Sequence, residues 1–343
     1  MSVLPELDRI GALAQLAPTF VRIETLAKVD ARGVELPIQA VTIGSTIKTR
    51  PTIGLFGGVH GLERIGTHVV LAFLESFIGR LSWDKDARRA AKKCRIVAIP
   101  MVNPGGIYLR SRSNPRGVDL MRNAPVEAEV KTPMLAGGHR YGAWLPWFRG
   151  WGPLETESQA LVDFVRREMF PAECAIALDI HSGFGLVDRL WYPYAKNRQP
   201  IRDIHHALAL SALLDRTLPH HVYRLEPQSA SYTTHGDLWD YLYDLYPGEK
   251  GPSSGLFLPW TLEIGSWNWV RKSPVSLFRR DGLFNPNEPH RYSRAMRRHL
   301  LLFEFLLRAV RAHRRWQPEP IEVDDEEEED DDEAAEKALD NAG

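Results

Sequence analysis

The chain has 343 residues, 44% of them apolar, 10% aromatic and 25% charged, the balance of a folded globular protein with one large core or two small ones. It contains no run of 18 or more apolar residues, which argues against a membrane span, and MSVLPELDRIGALAQLAP has no basic stretch ahead of an apolar one, which argues against a secretory signal and for the cytoplasm. The net charge of −1 hides an asymmetry: residues 319–343 hold 14 Asp and Glu against one Lys, and the remaining body carries 42 Lys and Arg against 30 Asp and Glu.

The acidic block DDEEEEDDDE (324–333) cannot bury apolar area, so a disordered tail is expected over 319–343. The basic residues of the body are not interleaved with aromatics in a nucleic-acid-binding pattern, so neither nucleic acid nor a membrane is an expected partner. Cys94 and Cys174 sit in separate apolar segments and read as two buried free thiols, which suits a reducing compartment.

In chain order, PIQAVTI (37–43) and TIGLFGG (52–58) read as strands. Ile65, Val69, Val70, Phe73, Leu74 and Phe77 then keep helical spacing. RIVAIP (95–100) is a third strand, followed by a loop broken by Gly and Pro that holds Arg110, Arg112, Arg116 and Arg122. Residues 124–153, with Trp144, Trp147 and Trp151, show little periodicity, and an irregular stretch of that length is usually functional or mobile. A helix from Glu155 to Met169 turns Leu161, Phe164 and Val165 inward; AIALDI (175–180) and LPWTLEI (258–264) are further strands. A last helix, from about Pro289 to Trp316, buries Met296, Leu300, Phe303, Leu307 and Val310. Strands and helices alternating at these lengths predict one α/β domain over 1–318, with a mixed, mostly parallel sheet covered by helices on both faces.

Three positions concentrate the chemistry. His60 and Glu63 follow Gly57-Gly58 at a strand end, where open α/β sheets gather ligands, and His181 ends another strand. Two histidines and a carboxylate are the ligand set of a catalytic zinc with one open position, although each residue alone also suits an ordinary loop. Glu263 lies inside an apolar strand, where an unpaired carboxylate is costly: it is either a base or a glutamate satisfied by an arginine. The arginine loop could clamp a carboxylate or hold an oxyanion, or be a solvated basic loop.

Read together, His60-Gly-Leu-Glu63, Asn103-Pro-Gly-Gly106, Arg112-Ser-Asn-Pro-Arg-Gly-Val-Asp-Leu-Met-Arg122-Asn123, His181-Ser182 and Glu263 resemble, in order, the motifs of the zinc metallocarboxypeptidases of the carboxypeptidase A superfamily. The resemblance runs from about residue 37 to 310 and looks closest to short bacterial members without a pro-domain, such as the murein-peptide amidase type. It implies one Zn²⁺ per chain on His60, Glu63 and His181, with Glu263 as general base. Zinc-bound water would then hydrolyse a peptide bond near the C-terminus of a small peptide. The resemblance also implies that Arg112 polarises the scissile carbonyl, that Arg122 and Asn123 face the substrate carboxylate, and that Asp119 fixes the tautomer of His60. Tyr232, spaced from Gly236 and Asp240 as the family's mobile tyrosine is, would be that tyrosine, and Trp239 would shape the specificity pocket. Met121 departs from the family's Asn and cannot donate a hydrogen bond, which weakens the case for capture of a terminal carboxylate; Ala124 departs from its Phe or Trp. Two other readings stay open: a zinc-dependent N-acyl amino acid deacylase, like aspartoacylase and succinylglutamate desuccinylase, and a non-catalytic binding module on the same fold.

Overall fold

The structure, a computed structural model, describes residues 3–250, 255–272, 282–286 and 288–318; the acidic tail expected over 319–343 lies outside the described residues. In chain order its elements are α1 (Pro5–Leu16), β1 (Val21–Ala31), β2 (Val34–Gly44), β3 (Thr52–Gly57), α2 (Arg64–Arg80), α3 (Lys85–Lys93), β4 (Arg95–Ile99), α4 (Pro104–Leu109), α5 (Thr156–Glu168), β5 (Cys174–Ser182), β6 (Arg189–Tyr192), α6 (Ile204–Thr217), β7 (Arg224–Pro227), α7 (Leu238–Lys250), β8 (Leu256–Ile264), α8 (Trp267–Lys272) and α9 (Pro289–Arg311).

The strands form one eight-stranded sheet in the order β1-β2-β4-β3-β5-β8-β6-β7. The run β4-β3-β5-β8 is parallel, as is β6–β7, while β1–β2, β2–β4 and β6–β8 are antiparallel. The sheet is therefore mixed, and parallel through its centre as expected. Every residue of β3, β4, β5 and β8 is buried, which is why these four strands read as unbroken apolar runs.

Helices cover both faces. A Cβ on Gly54 would meet Met169 at the end of α5, and one on Gly57 would meet the backbone of Gly66 in α2. Positions three apart on a strand point to opposite faces, so α5 and α2 lie on opposite sides of β3. On the α2 side, α1, α2 and α9 pack together, with Phe73 edge-on to Phe303 at 5.4 Å. On the other side α5 packs with α7. Helix α9 buries Phe303, Leu307 and Val310 as its periodicity predicts, but Met296 and Leu300 are only half-buried, and Leu302 and Leu306 lie deeper. Cys94 and Cys174 are both buried and free. Among the described residues no single helix is long and apolar enough to cross a membrane.

Strand β3 is the switch point of the sheet. The chain leaves it for β4 on one side, while the next parallel strand, β5, lies on the other. Loops leaving such neighbours in opposite directions open a crevice at the carboxyl ends of the strands. His60 follows β3, His181 lies near the end of β5, and Glu263 lies near the end of β8, all at that crevice.

Candidate metal centre and active-site cleft

The loop that carries His60 and Glu63 is fixed from below by the next one. Asn103 caps α4 by accepting from the Gly106 N–H at 2.7 Å, with Pro104 in the first helical turn, and its amide donates to the Val59 carbonyl at 3.1 Å. Gly61 rests directly on this turn, where a Cβ would lie 2.0 Å from the Gly106 carbonyl carbon. Only glycine fits at position 61 at that distance.

His60, Glu63 and His181 are all buried, and one ligand atom from each lies within 4.8 Å of the others. Glu63 Oε1 is 2.8 Å from His60 Nδ1, Glu63 Oε2 is 3.1 Å from His181 Nδ1, and the two Nδ1 atoms are 3.2 Å apart. The far side of each ring faces a carboxylate: His60 Nε2 lies 3.1 Å from Asp119, and His181 Nε2 lies 2.8 Å from Asp179. A carboxylate facing Nε2 keeps the proton there, so each neutral ring turns its lone pair inward at Nδ1. Two such lone pairs and a carboxylate at this spacing repel one another unless they share a cation, and the donor set fits zinc.

Glu263 is the register partner of His181 in the parallel β5–β8 ladder. Its Oε1 accepts from the Phe184 N–H at 2.9 Å, and burial, reinforced by the charge of Glu63, pushes its pKa up to about 8. Arg112 donates from Nε to Asp119 at 2.9 Å and from Nη1 to Glu63 at 3.3 Å, which aims its guanidinium at the same cluster. Arg122 donates to the carbonyls of Ala136 (3.2 Å) and Met121 (3.0 Å) and lies 5.9 Å from the centre of the Tyr232 ring. These residues, except Asp119, line one cleft of about 440 Å³, whose walls also include Met121, Trp147, Phe184, Trp191, Asp237 and Phe284.

Two expected substrate-binding residues lie elsewhere. Asn123 is buried behind the cleft, where its amide donates to the Arg149 carbonyl at 3.0 Å and its oxygen accepts from the Glu155 N–H at 2.7 Å. Trp239 does not line the cleft either. Asp237 accepts from the Trp239 and Asp240 N–H groups, starting α7 so that the indole turns inward, against Phe56 at 5.1 Å and onto Asp179, to which it donates at 2.9 Å. The cleft wall includes Trp191, Gln228, Asp237 and Thr261. The sequence alone assigns Asp179 no role, yet two residues apart on a strand share a face, so Asp-x-His at 179–181 carries the signal. Trp191, on a strand of four residues, gave none.

A family model described as zinc carboxypeptidase matches residues 8–250. Carboxypeptidase E of Caenorhabditis elegans is 28% identical over 131 residues, 34% of this chain and 28% of that protein, so the match spans well under two thirds of that relative. Bovine thrombin-activatable fibrinolysis inhibitor, solved with tick carboxypeptidase inhibitor, superposes with a TM-score of 0.65 at 18% identity, over 91% of this chain and 98% of that one. Carboxypeptidase A of Helicoverpa armigera gives 0.63 at 18% identity, over 88% of this chain and 71% of that one. At such identities the structural likeness speaks for the fold alone.

Proposed function

The chain belongs to the zinc carboxypeptidase family, and on that premise we propose that it is a zinc metallopeptidase that hydrolyses an amide bond near the C-terminus of a small peptide. The observation that carries this reading is the convergence of His60 Nδ1, Glu63 and His181 Nδ1 on one buried point at the bottom of an open cleft. A zinc ion bound there supplies Lewis acidity to the scissile carbonyl and to the attacking water.

The protein's own groups do the rest. Glu263, the register partner of His181 at the cleft, takes the proton from the attacking water and returns it to the leaving nitrogen. Arg112, held by Asp119 and Glu63, offers its guanidinium to the carbonyl oxygen as negative charge develops. Arg122 and Tyr232, stacked side by side in the cleft, hold the carboxylate end of the substrate. Met121 lines the cleft beside Arg122 and adds no hydrogen bond there.

The test combines metal analysis with a substrate panel. Mass spectrometry should find about one zinc per chain. Dipeptides with a free C-terminus should be hydrolysed faster than amidated ones. Glu263→Gln should lose about 10²–10⁴-fold in kcat while keeping its zinc. Hydrolysis of N-acyl amino acids in place of peptides would make the chain a deacylase, and zinc binding without any hydrolysis would leave a binding module.

A further inference from the structure

Two adjoining hollows border helix α9 away from the cleft. The first, about 380 Å³, lies between α8 and the first half of α9, and its walls carry Arg271, Lys272, Arg291, Arg294 and Arg298. The second, about 460 Å³, lies between the middle of α9 and residues 217–223 and is mostly apolar, with Leu218, Val222, Leu301 and Leu302 in its walls. Val222 and Arg298 line both, so the two hollows form one groove along α9. Leu301 is 60% exposed there, which is costly for an apolar side chain with nothing over it.

The basic half lacks its own counter-charge. Asp188 is the only carboxylate lining it among the described residues, and it is engaged: Oδ1 accepts from the Gly265 N–H at 2.9 Å and Oδ2 from Arg298 at 2.8 Å. Arg271, Lys272, Arg291 and Arg294 meet no carboxylate among the described residues. Cations gathered in one hollow raise its potential and favour an anion there. The basic loop after β4 is different, since Arg112 is held by Asp119 and Glu63, and Arg116 lies 3.4 Å from Glu155.

We propose that this groove is the docking surface of the chain's own acidic segment, with Ile321 and Val323 against the apolar half and the ten acids of 324–333 along the basic half. Order and reach decide the occupant. Trp316 Nε1 donates to the Ala309 carbonyl at 2.8 Å, so the described chain ends beside the last turns of α9. Back along the helix from Ala309, Leu301 is about 12 Å away and Arg294 about 22 Å. Forward from Trp316, Val323 can reach about 23 Å, and an extended 324–333 spans about 33 Å more. The segment thus meets the apolar half first and the arginines next, and its own sequence runs from apolar to acidic in the same direction. Joined by so short a stretch, it acts at an effective concentration on the order of millimolar, so individually weak ion pairs suffice. The inference is independent of the peptidase reading.

Carbodiimide cross-linking of the full chain, read by peptide mass spectrometry, tests this, because Lys272 places an amine in the basic half. At about 20 mM salt Lys272 should be joined to a carboxyl of 324–333 in the same chain, and the yield should fall about tenfold at about 1 M, where the Debye length is about 3 Å. Arg271→Glu with Arg294→Glu, both exposed, should remove most of that link. The same variant should spare the link between Lys28 and Glu35, an exposed pair 2.7 Å apart that serves as internal standard. A second readout needs no lysine: Leu301→Cys with Val323→Cys should close a disulfide within one chain under mild oxidation. Leu208→Cys with Val323→Cys, equally exposed but on α6, should not. Acids of 324–333 joined evenly to lysines all over the surface, with Leu208→Cys pairing as readily as Leu301→Cys, would overturn the proposal. So would Lys272 links that form only between chains.

Discussion

Both ends of the central parallel strands bury charge, and they resolve it differently. At the amino ends, Arg95 is almost fully buried yet completely engaged: it donates to the Glu168 carboxylate, to the Glu168 carbonyl at 2.6 Å and to the Ser45 carbonyl at 3.3 Å. Lys48 and Arg167 add their charges to the same Glu168, at 3.2 and 2.8 Å. At the carboxyl ends, His60, Glu63 and His181 are braced from outside by Asp119 and Asp179, and three acceptors face one another across the middle. One end is closed by the chain's own donors. The other is built to be closed by a cation, and that difference separates an ion pair that serves the fold from one that serves chemistry.

The largest test of this contrast is His181→Ala, which should remove both stoichiometric zinc and hydrolysis. If that variant still held a full zinc equivalent, the ligand set would be misassigned. At the opposite end, Arg95→Ala should cost about 3–5 kcal/mol of stability, because it strands buried partners, while leaving zinc content untouched. Urea unfolding followed by metal analysis measures both, and a loss of metal would show that the two ends are coupled.

A smaller effect is expected at the brace. Asp179→Asn keeps the shape of the side chain but weakens its hold on His181 Nε2, and should lower zinc affinity by about 10–100-fold. Competition with a fluorescent chelator reads this directly, and an unchanged affinity would reduce Asp179 to packing. The smallest effect concerns pH. In chelated protein a proton is left to do the cation's work. Burial opposes the charge on His181, but Asp179 and Glu63 outweigh it and raise its pKa well above 6.5. A raised folded-state value gives stability that is complete below the unfolded pKa and fades as pH rises through the folded one. Chelated protein should therefore melt earlier at about pH 9 than at about pH 7, more so than zinc-loaded protein. Parallel melting curves for the two forms would argue against a proton at the cluster.

The same contrast explains what could be read in the sequence. Strands β3, β4, β5 and β8 were legible because burial on both faces leaves unbroken apolar runs. Strand β1 was not, since it mixes buried and exposed positions at the sheet edge, and β6 and β7 have only four residues each. His60, Glu63, His181 and Glu263 come together in space because each stands at or just beyond the end of a legible strand. Asn123 and Trp239 were misplaced for the opposite reason: partners far along the chain, Arg149 and Glu155 for one and Asp179 for the other, decide where they point. No local pattern records such partners.

The register match of His181 with Glu263 reaches beyond the reaction itself. The chain leaves that ladder at Gly183 and rejoins it after Gly255, and the spacing of neighbouring strands, about 4.8 Å, sets the separation of the two backbones regardless of what happens in between. The excursion holds β6, α6, β7 and α7, and with them Trp191, Gln228, Tyr232 and Asp237 of the cleft wall. A lineage could lengthen or exchange parts of that excursion and still inherit ligand and base in place. Divergence in what the cleft admits would then be open to such a chain without reinventing how the bond is broken.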